Sequence, residues 1–395
     1  MKKAILAILA LAAISCSAPS PEKMSVKMVE SQMSRCGDAT YLDYTDGFLK
    51  WNYTPGLELR SFLDVYEAYG DQAIYDFVAK WYDGIIAEDG TIGGKYAVEK
   101  YSTDLICPGK SLFYFLDKTG NQKYRKAIET LKTQIDGQPR TEAGAFWHKK
   151  VYPHQVWLDG VYMAEPFYVE YAVRYMSGEE QQRAFDDIVN EFVVAAKYTY
   201  DPVTKLYRHA WDESHSMFWC DPQTGQSQHC WGRALGWYCM AILDVLDYLP
   251  EGYAGRQTLI EILRGICEEL PKWADPQTKM WYQVLDQPGR EGNYLESTCC
   301  AMFTYTYLKG TRMGYLDESL KPYARELYTN LVKEFISTDD QGRISLEKCC
   351  SVGGLGGSSN RMGDFDYYLS EPIRPNDSKG VAPFIWASLE IEMQD

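Results

Sequence analysis

The sequence predicts an all-α fold, an (α/α)6 barrel of six helical hairpins. Three observations lead there. Apolar residues recur at spacings of three and four in stretch after stretch along the chain. The clearest of these stretches end at a glycine turn, and each is followed by a second helical stretch. The turn glycines Gly70, Gly120 and Gly178 lie 50 and 58 residues apart, the length of a helical hairpin plus a loop.

In chain order, the first element is an amphipathic segment from Glu22 to Arg35. The next runs from Leu57 to Tyr69 before Gly70-Asp71, another from Gly109 to Lys118 before Gly120-Asn121, and a third from Val161 to Met176 before Gly178-Glu179. Glycine just past a helix takes the left-handed conformation that a Cβ penalises, which is why it ends the helix there. Hairpins continue over Ala234 to Glu269 and Ser297 to Phe335. The last helix, Lys379 to Glu390, pairs with the first segment to make the sixth hairpin. Six such units can close into a ring whose inner helices line a funnel; an open helical solenoid is the competing arrangement. No Gly/Ser-rich or Pro-rich linker interrupts residues 16–395, so they read as a single domain.

At the N-terminus, Lys2 and Lys3 precede an apolar run from Ala4 to Ile14, the pattern of a secretory signal over residues 1–15. The run falls short of the ~20 apolar residues that a spanning helix requires. The small residues ahead of Cys16 make it the expected lipidation site of a bacterial lipoprotein, with ordinary cleavage nearby as the alternative. Either way the sequence points to an exported protein of the periplasm or outer membrane, touching the membrane only through a lipid anchor.

Composition narrows the partners. Of 395 residues 46% are hydrophobic and 14% aromatic, which excludes a disordered chain. The formal net charge is −15 with no offsetting basic patch, which argues against nucleic acid. The five His are scattered and there is no Cys-x-x-Cys or His-Glu-x-x-His, so neither an essential metal nor any other cofactor is expected.

The stretch from His148 to Phe167, which holds Trp157-Leu158-Asp159-Gly160, resembles the bacterial unsaturated rhamnogalacturonyl hydrolases, glycoside hydrolase family 105. The likeness recurs at Trp231-Gly232-Arg233-Ala234-Leu235-Gly236-Trp237, at Leu295-Glu296-Ser297-Thr298 and over Ser351 to Gly357. It continues through Asp366 to Pro372, Pro375-Asn376-Asp377, Lys379-Gly380-Val381 and Pro383-Phe384, so it spans roughly residues 40–392. The resemblance implies an (α/α)6 barrel, in agreement with the hairpin count. It also implies an oligosaccharide substrate left by a pectin lyase, whose non-reducing unsaturated uronic acid carries a C4=C5 double bond. An acid protonates C4, water adds at C5, and the hemiketal collapses to release the next sugar, rhamnose in rhamnogalacturonan. No covalent sugar–enzyme intermediate is implied, so the carboxyl-separation rule for retaining and inverting glycosidases does not apply.

Residue by residue, the resemblance makes Asp159 the catalytic acid. A flanking Trp157 would help desolvate that carboxyl and raise its pKa. The alternative is that Asp159 merely N-caps a helix beginning at Gly160, where it would stay ionised. Asp104, in the Ser102-Thr103-Asp104 stretch, matches the second carboxylate, which would orient or help deprotonate the water; its alternative is again capping. Arg233 and Lys149 match positions near the substrate. Arg233 lies four residues before Trp237, on one helix face, so the Arg would grip a carboxylate while the Trp stacks on the sugar; a structural ion pair and core packing are the alternatives. His209 matches a substrate-contacting position. Trp157, Met163, Tyr53 and Trp231 read as wall residues or, equally, as core. The Gly353 to Gly357 run lacks the Lys-Ser/Thr of a phosphate loop and reads as a tight loop near the barrel mouth.

Two other functions stay open at this stage. One is a helical surface lipoprotein that binds glycans without cutting them. The other keeps the barrel but takes unsaturated glucuronyl sugars from other lyase products.

Overall fold

The computed structural model describes residues 23–394. The expected signal segment and Cys16 lie outside the described residues. Helix α1 (Met24–Cys36) leads into five hairpins, α2 (Tyr53–Tyr69) with α3 (Gln72–Ile85), α4 (Lys110–Thr119) with α5 (Gln122–Gly137), α6 (Leu158–Tyr175) with α7 (Gly178–Thr199), α8 (Gly232–Leu246) with α9 (Gly255–Glu269), and α10 (Ser297–Arg312) with α11 (Lys321–Phe335). A short α12 (Phe365–Ser370) precedes α13 (Ser378–Glu392).

The first member of each hairpin lies inside. Helix α8 packs on α6 and α10, and α13 packs on both α10 and α2. The turn Cys107–Gly109 that leads into α4 fills the place between α2 and α6. The ring is therefore closed, and the arrangement is the (α/α)6 barrel rather than the open solenoid. Helix α1 packs on α13 from outside and completes the sixth pair.

The sequence separates the two layers by burial. Helix α3 buries Ile74, Val78, Trp81, Tyr82 and Ile85, one stripe at helical spacing, as an outer helix should. Helices α6, α8, α10 and α13 are buried on nearly every side. Close approach of α8 to α10 depends on two glycines one turn apart. A Cβ on Gly232 would stand 2.9 Å from Cys299 Sγ, and one on Gly236 would stand 2.6 Å from Met302 Sδ.

Two details differ from the sequence expectation. Gly70 and Gly120 end α2 and α4 in the left-handed conformation as read, but α6 ends one residue earlier than expected, at Tyr175, and Gly178 opens α7 instead. The loops also hold three short antiparallel ladders: β1 (Gln155–Trp157) with β2 (Ala210–Asp212), β3 (Ile336–Thr338) with β4 (Ile344–Leu346), and β5 (Cys349–Cys350) with β6 (Ile373–Arg374). Strands of two or three residues are too short to show a period of two. No helix among the described residues is long and apolar enough to cross a membrane, and the ten described cysteines are all free thiols.

Ring closure brings a carboxyl into the interior. Glu58 of α2 accepts a hydrogen bond from Gln32 Nε2 of α1 at 2.7 Å and another from Ser378 Oγ of α13. Burial pushes its pKa up to about 7 in spite of both donors. A raised carboxyl pKa contributes stability that is complete below the ordinary value and is lost as pH rises through the folded value. The uncharged Glu58→Gln should therefore gain on the parent between about pH 5 and pH 8. Urea midpoints at the two pH values check this; a difference that does not change with pH would show that Glu58 is not the group titrating.

Candidate active site

A cavity of about 230 Å3 opens at the end of the ring where α2 and α6 begin. Tyr53 at the start of α2 and Met163 in α6 line it, together with Asp104, Lys149, Trp157 and Asp159. These are six of the residues singled out from the sequence. Asn52, His148, Tyr152, Val352, Gly353 and Arg361 line it as well.

The position of Asp159 follows from a ladder. Strand β1 ends at Trp157 and the chain turns at once into α6, so Asp159 stands in the first helical turn. Trp157 is the N-cap residue and the capping role does not fall to Asp159. Trp157 pairs with Ala210 of β2, and the Leu158 N–H donates to the His209 carbonyl at 3.2 Å. His209 is thus seated beside the carboxyl, with Nε2 3.2 Å from Asp159 Oδ2 and Nδ1 2.8 Å from the Tyr368 hydroxyl. Its ring is fully buried between Trp157 and Trp231, at centroid distances of 5.2 and 4.7 Å.

This pairing changes the expected electrostatics. Burial does push the Asp159 pKa up, as the neighbouring Trp157 suggested. The charge and contact of His209, with smaller effects of His148 and Arg233, outweigh burial and hold the carboxyl below its ordinary value. The expectation of a net raised pKa is corrected accordingly. A helix N-terminus acts in the same direction.

Asp104 sits in the tight turn Thr103–Leu105. Its carboxylate takes a lysine rather than backbone N–H groups: Lys149 Nζ is 2.5 Å from Oδ2, and His148 Nε2 is 3.7 Å from Oδ1. The Thr103 N–H donates to the His148 carbonyl, and a bridge between Ser102 and Lys149 fixes the lysine opposite the acid. Burial lowers the His148 pKa to about 3, so its imidazole is neutral at neutral pH. His148 stacks on Trp157 at 4.6 Å, and Tyr152 stacks on Trp157 at 5.2 Å with ring planes 6° apart. The result is a stacked aromatic wall beside the two carboxylates.

Arg233 and Trp237 are placed differently from expectation. The Arg233 guanidinium is buried, donates from Nη1 to the Cys350 carbonyl at 2.5 Å and lies over Trp231. Trp237 is buried edge-on to Tyr53 at 6.4 Å. Both do share a helix face, but that face turns into the barrel below the cavity, so neither stands on its wall. Trp231 is likewise buried, and Gly353 passes across it where a Cβ would meet Cζ2 at 2.4 Å. The glycine run is the tight loop at the mouth that the sequence suggested, and it forms one side of the cavity.

A larger cavity, about 410 Å3, opens at the opposite end, where the inner helices finish. Its charges are matched among themselves: Arg60 with Asp64 at 2.5 Å, Lys309 with Asp247 at 2.5 Å, and Arg312 with Glu390 at 2.6 Å. Tyr248, Tyr305 and Trp386 line it as well, but it holds none of the residues singled out from the sequence.

A carboxylate pair against an aromatic wall, at the mouth of a six-hairpin ring, belongs to the helical-barrel enzymes that act on sugars. The comparisons agree. The model of Glycosyl Hydrolase Family 88 matches residues 24–394. A glycoside hydrolase from family 105 of C. acetobutylicum ATCC 824 superposes with a TM-score of 0.89 at 44% identity, covering 94% of this chain and 100% of that one. The unsaturated rhamnogalacturonyl hydrolase YesR of Bacillus subtilis is 25% identical over 301 residues, 75% of this chain and 78% of YesR. An unsaturated glucuronyl hydrolase from Bacillus sp. GL1 shares the fold at a TM-score of 0.67 and 15% identity, over 94% of this chain and 95% of that one. The chain belongs to this glycosidase family, and its match across a whole family 105 enzyme places it with family 105.

If His209 holds the Asp159 carboxyl down, His209→Gln should let burial act with less opposition and move that carboxyl's titration to higher pH. Carboxyl-labelled NMR of the parent and the variant checks the direction; no movement, or a downward one, would remove His209 as the cause.

Proposed function

We propose that this glycosidase hydrates the C4=C5 double bond of an unsaturated galacturonyl residue at the non-reducing end of rhamnogalacturonan fragments, and so releases that sugar from rhamnose. The observation that carries the reading is the half-buried Asp159 on the cavity wall, backed by His209 and accompanied by Asp104. Support for the substrate comes from the similarity to YesR, an unsaturated rhamnogalacturonyl hydrolase, and from the resemblance over the Asp159 and Arg233 motifs. A purely glycan-binding role does not suit a member of a glycosidase family.

In this reading Asp159 delivers a proton to C4. The parent carboxyl is held below its ordinary pKa in spite of burial by its contact with His209, so substrate binding must raise it. An anionic substrate filling the cavity excludes water and adds a negative charge, and both push the proton toward Asp159. The sugar ring lies on the wall of Tyr152, Trp157 and His148, within reach of the sugar-stacking geometry aromatic faces favour. Asp104, held by Lys149, orients the water that adds at C5. Proton transfer to an electron-rich vinyl ether requires no Lewis acid. Arg233 lies over Trp231, and Trp237 packs against Tyr53 on the cavity side. We place the protein outside the cytoplasm, exported through residues 1–15 and anchored at Cys16; mass spectrometry of the mature N-terminus tests that.

Asp159→Asn keeps the shape and loses the transferable proton. Turnover should fall by about 10²-fold or more while folding and binding persist. The reaction is followed as loss of the ultraviolet absorbance of the conjugated alkene, with unsaturated disaccharides from rhamnogalacturonan, homogalacturonan and chondroitin compared. Fastest loss with a glucuronyl substrate would transfer the function to that class, and near-normal turnover of the variant would move the acid elsewhere. Exhaustive chelation should leave the rate unchanged; loss that one added metal restores would refute the metal-free mechanism.

A further inference from the structure

The proposed substrate is an anion, and the chain that would bind it carries a net charge of −15. Its cavity therefore needs a cation whose charge is not already neutralised. Lys149 does not meet that need, because its ammonium is 2.5 Å from Asp104. Arg233 does not either, since it is buried and turned to the Cys350 carbonyl. Arg361 remains. It lines the cavity, and no described carboxylate forms an ion pair with it.

Arg361 is held in place with donors to spare. Its Nε donates to the Gly356 carbonyl and its Nη2 to the Tyr152 hydroxyl, each at 3.2 Å, while Nη1 has no hydrogen bond to a described residue. The backbones of Gly356 and Arg361 are bonded in both directions, at 2.8 and 3.2 Å, which closes the turn 357–360. Gly354 leaves room for the guanidinium, since a Cβ there would stand 2.3 Å from Nη1. Tyr152 in turn stacks on Trp157, two residues before Asp159. The guanidinium is thus preorganised at the edge of the wall on which the sugar would lie.

We propose that Arg361 is the residue that reads the uronate carboxylate, and hence a substrate-positioning and charge-specificity residue of this site. The inference rests on the hydration reading above. In the unsaturated uronate the carboxylate is carried on C5, one bond from C4. A planar guanidinium that fixes the carboxylate therefore also fixes how the double bond is presented to Asp159.

The test compares the unsaturated galacturonyl-rhamnose disaccharide with its methyl ester, using the full chain. Arg361→Gln keeps amide donors for Gly356 and Tyr152 but removes the charge. Its kcat/KM on the acid should fall about 10- to 100-fold, with less than about a threefold change on the ester. Arg361→Lys should lie between parent and Gln variant. In the Asp159→Asn background, calorimetry should show the acid bound more weakly by a similar factor when Arg361 is replaced. Equal losses on acid and ester would make Arg361 a loop-building residue and overturn the inference, as would a Gln variant that discriminates acid from ester as the parent does. A parent inactive on every unsaturated substrate would instead overturn the hydration reading, while the calorimetric comparison would still decide whether Arg361 binds a uronate.

Discussion

Three residue pairs between β1 and β2 hold the site together. Because Trp157 faces Ala210 across that ladder, the next residue along one strand enters α6 and the residue before the other presents its imidazole to Asp159. The Asp159 oxygen that faces His209 is enclosed, and a carboxylate so placed would be costly to ionise alone. The ladder supplies it with a partner that has its own partner in Tyr368, so a half-buried acid becomes tolerable without being used up in an ordinary surface ion pair. The wall depends on the same register, since Trp157 stacks on both His148 and Tyr152 and also borders His209.

The ring adds a longer-range field. Inner helices α2 and α6 begin at the mouth, so the partial positive charge of their N-termini converges on the end where a uronate would dock. An acidic chain can therefore present a locally attractive cavity. The same geometry assigns the far end of the ring to carboxyl-terminal dipoles, and there Lys309 and Arg312 stand against acids in a matched set.

Much of this was legible from the amino acids, though unevenly. The hairpins were legible from their spacing, but which member of each lies inside was not, since α10 is buried nearly all round while carrying Thr298, Thr304, Thr306 and Lys309. Gly70 and Gly120 marked helix ends because a left-handed residue was required there, whereas Gly178 was one turn away from the end it seemed to mark. Tyr53, Asp104, Lys149, Trp157, Asp159 and Met163 were assembled by motif and found on one cavity. His148 and Tyr152 lay inside the same motif, but nothing in a single buried histidine or tyrosine announces a stacking partner. Arg233 and Trp237 illustrate a limit of helical periodicity: it shows that two side chains share a face, not whether the face looks at the mouth or the core. The sign of the Asp159 shift was hidden for a similar reason, since Trp157 is its neighbour in sequence and His209 is its neighbour only in space. Arg361 comes from a glycine-rich loop some two hundred residues further on, which no local pattern connects to Asp159.

Closure of the ring through α13 and α2 has a kinetic side. Ser378 meets Glu58 across 320 residues of chain, and the last inner helix must find the first before either has a complete interface. An open stack of hairpins can grow one unit at a time, each new pair covering the one before. Here every intermediate short of closure leaves two inner helices with bare flanks, and nonlocal contacts of this kind slow folding. The acids of the cavity would be synthesised well before the loop that carries Arg361, so the pocket should emerge late and all at once. During that interval the unfinished barrel is a sticky object, and its passage to the closed form is a race against aggregation that chaperones would be expected to referee.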